Sequence, residues 1–311
     1  MKTFTLPGTD IVAPNVVLGL MRIAEKTDEE IRKLVNTGKD LGIDFIDHAN
    51  IYGPTLHECE RRWAEAMQLT PSERDNVTIQ TKAGIIKDDH YFDFSYDNLV
   101  TSVEGSLEAL QTDYIDILLL HRPDALVEPE EVARAFDDLH GAGKVRYFGV
   151  SNHTPGQIDL LKKYVRQPLV ANQLQLSITH SPIIAQGIAA NMQGVEQSIV
   201  LDGGGILDYC RLHDITVQAW SPMQAGFFTG VFLENEKYPE LNTVIDRLSA
   251  KYDVPPIAIA TAWITRHPAN MQVVLGTTSP ERVFGAAQGS SIPLTRAEWY
   301  ELLRAAGYEV P

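Results

Sequence analysis

Eight short apolar runs recur along the chain, at Val16–Leu18, Ile43–Asp47, Val77–Thr81, Ile115–Leu120, Val145–Val150, Leu169–Gln173, Ile215–Ala219 and Gln272–Leu275. Several are apolar at nearly every position, which is how a strand covered on both faces reads. Helical patterns lie between most of them. In Asp28–Leu41, Ile31, Leu34 and Val35 share one face, and Thr27 with Glu30 forms a capping box at the start. Further helical patterns fall near Cys59–Met67, Tyr96–Leu110, Glu130–Leu139, Pro155–Val165, Ile206–Leu212 and Leu241–Tyr252. Thr295 and Glu298 repeat the box before a C-terminal helix through Ala306, for which the barrel mouth and the outer ring are both open positions. Strands alternating with helices eight times over predict an α/β chain folded as a (β/α)8 TIM barrel with loops on its catalytic face, rather than a short open sheet.

The 311 residues are 44% hydrophobic, enough to fill one large barrel. No linker rich in Pro, Ser or charge divides them, so a single domain over 1–311 is expected. The tract Ala185–Gly205, with Gly187, Gly194 and Gly203 to Gly205, reads as an extended loop. Two glycine clusters are read as turns that end helices. Gly203-Gly204-Gly205 lacks the last glycine of a dinucleotide fingerprint, and Gly141-Ala142-Gly143-Lys144 lacks the Ser or Thr of a phosphate loop.

The formal net charge of -15 argues against a nucleic-acid partner, which calls for a basic footprint. A local basic site for an anionic cofactor is compatible with it. Two cysteines, Cys59 and Cys210, make no disulfide framework, and no run of about 18 apolar residues suggests a membrane span. A cytoplasmic protein is expected. Cys59 with His57 and His48 has no common zinc spacing, and Asp88-Asp89-His90 lacks a second ligand cluster, so no metal is expected. Nothing in the sequence specifies an oligomeric state.

Asp47, Lys82 and His121 fall at or just past the ends of three successive strand candidates, and Tyr52 lies in the loop after the first of these. In a parallel barrel such ends converge on one face. Carbonyl reduction needs a hydride at carbon and a proton at oxygen, and a phenol with a pKa near 10 is a reluctant acid. A neighbouring cation favours phenolate, and a carboxylate holds the cation in place. Tyr52 is therefore read as proton donor, Lys82 as its electrostatic partner, Asp47 as the residue fixing Lys82, and His121 as the group orienting the carbonyl oxygen. Taken singly, a Tyr, Asp or Lys near a strand end is usually a surface or loop-fixing group, and His121 could be only a satisfied strand-end histidine.

At these residues the sequence resembles the aldo-keto reductase family. Gly42–Gly53, reading GIDFIDHANIYG, is similar to the family segment carrying the catalytic aspartate and tyrosine. Thr81-Lys82 and the LLLH of Leu118–His121 match its lysine and histidine. The resemblance implies NADPH extended across the barrel mouth, reached by Ser151 and Asn152, by Gln173 at the carboxamide, and by Trp220 and Ser221 at the nicotinamide. It further implies that Gly276, Thr277, Thr278 and Arg282 hold the adenosine phosphate. Gly276 stands where many members have lysine, Gly285 and Ala286 where many have a Glu-Asn pair, and His48 where many have a small polar residue; a structural role is assigned to His48. The implied substrate is a small-molecule aldehyde or ketone. Arg22, Ile23 and the aromatic pair Tyr91-Phe92 are candidates for its binding, with a loop anchored by the aromatics on the barrel rim an equal reading of that pair. The resemblance places Phe227-Phe228 with Phe232 in a loop over the cofactor, where composition gives only an apolar anchor. The alternative class is a cofactor-binding regulatory or scaffold protein, which the family also contains.

Overall fold

A computed structural model of the chain describes residues 1–311 except 191, 195, 197–203 and 227–228. Its centre is a closed parallel barrel of β1 (Val16–Gly19), β2 (Phe45–Asp47), β3 (Thr78–Ala83), β4 (Ile115–Leu120), β5 (Val145–Ser151), β6 (Leu169–Gln175), β7 (Thr216–Trp220) and β8 (Gln272–Leu275). Each strand overlaps one of the eight apolar runs. Strands neighbour one another in chain order, and β8 returns to β1 with Val273 opposite Val16.

Alternation along the strands sorts side chains into two clusters. Val17, Phe45, Ile117 and Leu119 point inward and join Val274 in the barrel interior. Val16, Leu18, Ile46, Ile79 and Leu118 point outward and pack with helix residues such as Ile31, Leu34, Leu99 and Val132. This two-sided burial is why the strands read as continuous apolar runs. A hairpin of Thr3–Thr5 with Val12–Pro14 lies at the N-terminal ends of the strands, and its Leu6, Ile11 and Ala13 pack into the interior cluster. One end of the barrel is thereby plugged, and access is left to the other.

The C-terminal helix, Arg296–Ala305, packs on the outer ring. Its Trp299 stacks on Trp263 of the helix Pro256–Thr265 at 4.9 Å between centroids, and each indole N–H donates to the other residue's carbonyl, at 2.8 and 3.1 Å. Two expectations are corrected. Ala185 and Gly187 stand in the helix Pro182–Ile188, so the tract from Ala185 does not begin as a loop. Gly205, with φ 69°, opens the helix Ile206–Leu212 instead of ending one; Gly203 lies outside the described residues. Gly141 does end the helix Pro129–Gly141, followed by Gly143 at φ 71°. Among the described residues no helix is long and apolar enough to cross a membrane.

Candidate active site

Because Phe45 and Leu119 point inward, so do the residues two positions on, Asp47 and His121. Lys82 and Gln80 share the same parity on β3. The period-two pleat thus carries polar groups up the barrel axis above an apolar floor. Lys82 is fully buried, and its ammonium donates to Asp47 Oδ2 at 2.7 Å, to the His48 carbonyl at 2.7 Å and to Tyr52 Oη at 3.2 Å. Burial alone would lower the lysine pKa, but the charges of Asp47 and Tyr52 and hydrogen bonds to both outweigh it, and the pKa is raised. Lys82 is therefore charged at neutral pH. Tyr52 stands edge-on to His121 at 5.9 Å.

The expectation that Lys82 lowers the tyrosine pKa is only partly met. Burial, the larger influence, raises it; Lys82 lowers it; the net direction is up. His121 is pushed well below the ordinary imidazole value by burial, then by Lys82 and Arg122, so its ring is neutral at neutral pH. His48 is buried beside Trp63 with neither ring nitrogen meeting a protein partner, and burial pulls its pKa down to about 4.

Below these groups runs a chain of buried amides that sequence reasoning missed, apart from Gln173. Gln80 and Gln173 both donate to Asp47 Oδ1, at 2.6 and 3.0 Å, and both donate to Gln218 Oε1, at 2.9 and 3.2 Å. Gln218 in turn donates to Gln272, whose amide reaches the Pro14 carbonyl at 2.8 Å. The signal was present: a glutamine at an inward position of an otherwise apolar strand must find a buried partner. These bonds hold Asp47 from below while Lys82 holds it from above.

The strand ends surround a cavity of ≈ 740 Å³. Asp47, Tyr52 and His121 line it, with Lys82 behind them. Ser151, Asn152, Gln173, Trp220 and Ser221 form one wall; Gly276, Thr277, Thr278 and Arg282 form another. Asn152 accepts the Trp220 indole N–H at 3.0 Å and donates to Ser151 Oγ at 2.8 Å, which fixes the plane of the indole. Asn152 and Ser221 both adopt left-handed backbone, at φ 62° and 53°, a conformation that side chains other than glycine rarely take. At the far end Ser279 caps the helix Pro280–Gln288, accepting the Arg282 amide at 3.2 Å. A helix N-terminus with hydroxyls and a guanidinium beside it suits a phosphate. The cavity thus has a flat aromatic wall with amide groups at one end and an anion cradle at the other, which fits a nicotinamide dinucleotide.

Arg22 lines the cavity as expected, but Ile23 is fully buried in the core and does not reach it. Tyr91 and Phe92 pair with Ile85–Ile86 in a small hairpin, remain 49% and 41% exposed, and do not line the cavity; Ile85 does. Phe232 is buried in the core, whereas Phe227 and Phe228 lie outside the described residues.

Residues 15–306 match the family model described as Aldo/keto reductase family. The chain belongs to the aldo-keto reductase family. It is 35% identical to the uncharacterized oxidoreductase YcsN of Bacillus subtilis (strain 168), covering 97% of each chain. It is 31% identical to a 6-dehydroglucose reductase of Agrobacterium fabrum, covering 95% of each. In fold it resembles the thermostable aldo-keto reductase Tm1743 at a TM-score of 0.78 and 22% identity, over 98% of this chain and 100% of that one. As an aldo-keto reductase this chain is an NAD(P)-dependent oxidoreductase acting on small-molecule carbonyl compounds.

Proposed function

We propose that this aldo-keto reductase, as a single domain over 1–311 working in the cytoplasm, reversibly reduces an aldehyde or ketone to an alcohol, with NADPH as cofactor and Tyr52 as proton donor. The observation that carries the reading is the hydrogen bond of 3.2 Å from the buried Lys82 ammonium to Tyr52 Oη. The nicotinamide, when bound, supplies the hydride.

Lys82 occupies a lone pair of the phenol oxygen, so the phenolic proton is free to point into the cavity. As that proton leaves for the alkoxide, the charge left on Tyr52 meets an ammonium already in place. A preorganised cation of this kind stabilises the transition state more than the ground state. Asp47, tied by Lys82, Gln80 and Gln173, keeps the ammonium from turning away. The neutral imidazole of His121 can donate one N–H to the carbonyl oxygen and so aim the carbon. Ser151, Asn152 and Gln173 offer the groups for a carboxamide, and the Trp220 indole a surface for the ring. Arg282 with Thr277 and Thr278 would hold the ribose 2'-phosphate; Gly276 leaves that task to them.

The test is an NADPH-oxidation screen over varied aldehydes and ketones, oxidised sugars included because one relative is named for such a substrate. Tyr52→Phe is the control. It is expected to reduce kcat by about 100-fold or more while cofactor affinity stays close to that of the wild type. Full turnover in that variant would remove Tyr52 from the mechanism. Arg282→Ala is expected to weaken NADPH binding more than NADH binding, and an equal loss for both would remove the 2'-phosphate role.

A further inference from the structure

One charged group on the cavity wall has no task in this scheme. Arg122 follows His121 directly, lines the cavity, and lies with its guanidinium 5.8 Å from the centre of the Trp220 ring. Among the described residues it makes no ion pair and no hydrogen bond. Asp124, the nearest carboxylate along the chain, does not neutralise it: its two oxygens accept the amides of Phe94 and Leu126, at 3.0 and 2.8 Å. Asp47 is committed to Lys82 and two glutamines.

The other two guanidiniums of the cavity stand elsewhere. Arg22 leans on the Gly276 carbonyl at 3.5 Å, and Arg282 belongs to the phosphate cradle. Against these three cations the described lining offers one further carboxylate, Glu234. In a chain of net charge -15 the cavity is therefore locally cationic. Burial pulls the Arg122 pKa below the ordinary guanidinium value, and negative charge on Tyr52 would raise it. A part-desolvated guanidinium with all its donors unused is a site waiting for an oxyanion, whose two oxygens its fork matches.

We propose that Arg122 is a specificity-determining residue that selects carbonyl substrates bearing an oxyanion, such as a carboxylate, while Tyr52 and His121 hold the carbonyl. This deepens the carbonyl-reductase reading and rests on it. Because the oxyanion is remote from the reacting carbon, its contact is the same before and during reaction, so it acts on KM more than on kcat.

The probes are 3- and 4-carboxybenzaldehyde, each against its methyl ester, with NADPH. In the wild type at least one acid is expected to exceed its ester in kcat/KM by about tenfold or more, the scale of a hydrogen bond to a charged group. In Arg122→Gln that ratio is expected to fall at least fivefold, through KM of the acid. A wild-type ratio under tenfold for both isomers, or a smaller fall in the variant, overturns the proposal. NADPH affinity reports whether the variant is folded; where Arg122→Gln fails that check, Arg122→Met is read by the same limits. Ester turnover that disappears in Tyr52→Phe keeps the reductase reading whatever happens at Arg122. No turnover of acid or ester by wild type that binds NADPH overturns the Arg122 proposal alone, since the reductase reading is decided by the wider carbonyl screen.

Discussion

At the scale of single residues, the site rests on a buried ion pair, and such pairs are fragile to one-sided change. Lys82 and Asp47 are 0% and 3% exposed in their side chains and 2.7 Å apart. Removing one partner leaves the other charge uncompensated in a low dielectric, which typically costs several kcal/mol. Asp47→Asn is therefore expected to lower unfolding free energy by about 3–5 kcal/mol and to bring the Lys82 pKa down, since burial then acts unopposed by Asp47. Chemical denaturation with and without NADPH checks the first, and the pH profile of kcat the second. A variant as stable as wild type would mean that the His48 carbonyl and Tyr52 suffice to hold Lys82 in place. Asp47, Tyr52, Lys82 and His121 were legible because strand ends in a parallel barrel converge and because lysine after an apolar run needs a partner. Beneath them only Gln173 was named, through the family resemblance; for Gln80, Gln218 and Gln272 the strand signals a buried partner but does not say whether the side chain faces the axis or a helix.

At the scale of elements, local chemistry and tertiary packing made different parts of the fold legible. Both expected capping boxes are present: Thr27 with Glu30 opens the helix Asp28–Asp40, and Thr295 with Glu298 opens Arg296–Ala305. In each, hydroxyl and carboxylate satisfy backbone amides that the first turn leaves free. Thr27→Ala is expected to cost about 1 kcal/mol, visible as a lower urea midpoint with an unchanged m-value. No change in midpoint would show that the flanking loop caps the helix without its hydroxyl. By contrast, the helix Pro256–Thr265 has no polar face to set a 3.6-residue period, since every residue from Ala258 to Thr265 is buried. Its apolar sequence resembles a buried strand as much as a helix. The hairpin of Ile85–Ile86 with Tyr91–Phe92 was missed for the opposite reason: strands of two residues carry no periodicity.

For the whole molecule, two opposing effects of acid can be separated. The net charge of -15 shrinks as pH falls toward the pI of ≈ 5.0, which relieves self-repulsion and favours the folded state. Buried histidines act the other way. His48 and His153 are 0% and 1% exposed, and burial lowers each pKa from 6.5 to about 4. Above pH 6.5 the unfolded chain and the folded one both keep these rings neutral, and their contribution is fully present. Between 6.5 and about 4 the unfolded chain takes up protons that the folded chain refuses, so stability is lost as pH falls. At one pKa unit per about 1.4 kcal/mol, each ring takes away about 2 kcal/mol between pH 7 and pH 5. The cleanest measure is a comparison with the double variant His48→Leu, His153→Asn, in which asparagine keeps an N–H for the Ser151 carbonyl that His153 Nδ1 meets at 2.9 Å. His121 and the surface charges are common to both proteins and cancel. Urea midpoints measured from pH 7 to pH 5 should fall more steeply in the wild type than in the variant. Parallel profiles would mean that the interior opens locally and lets both rings protonate without unfolding the barrel.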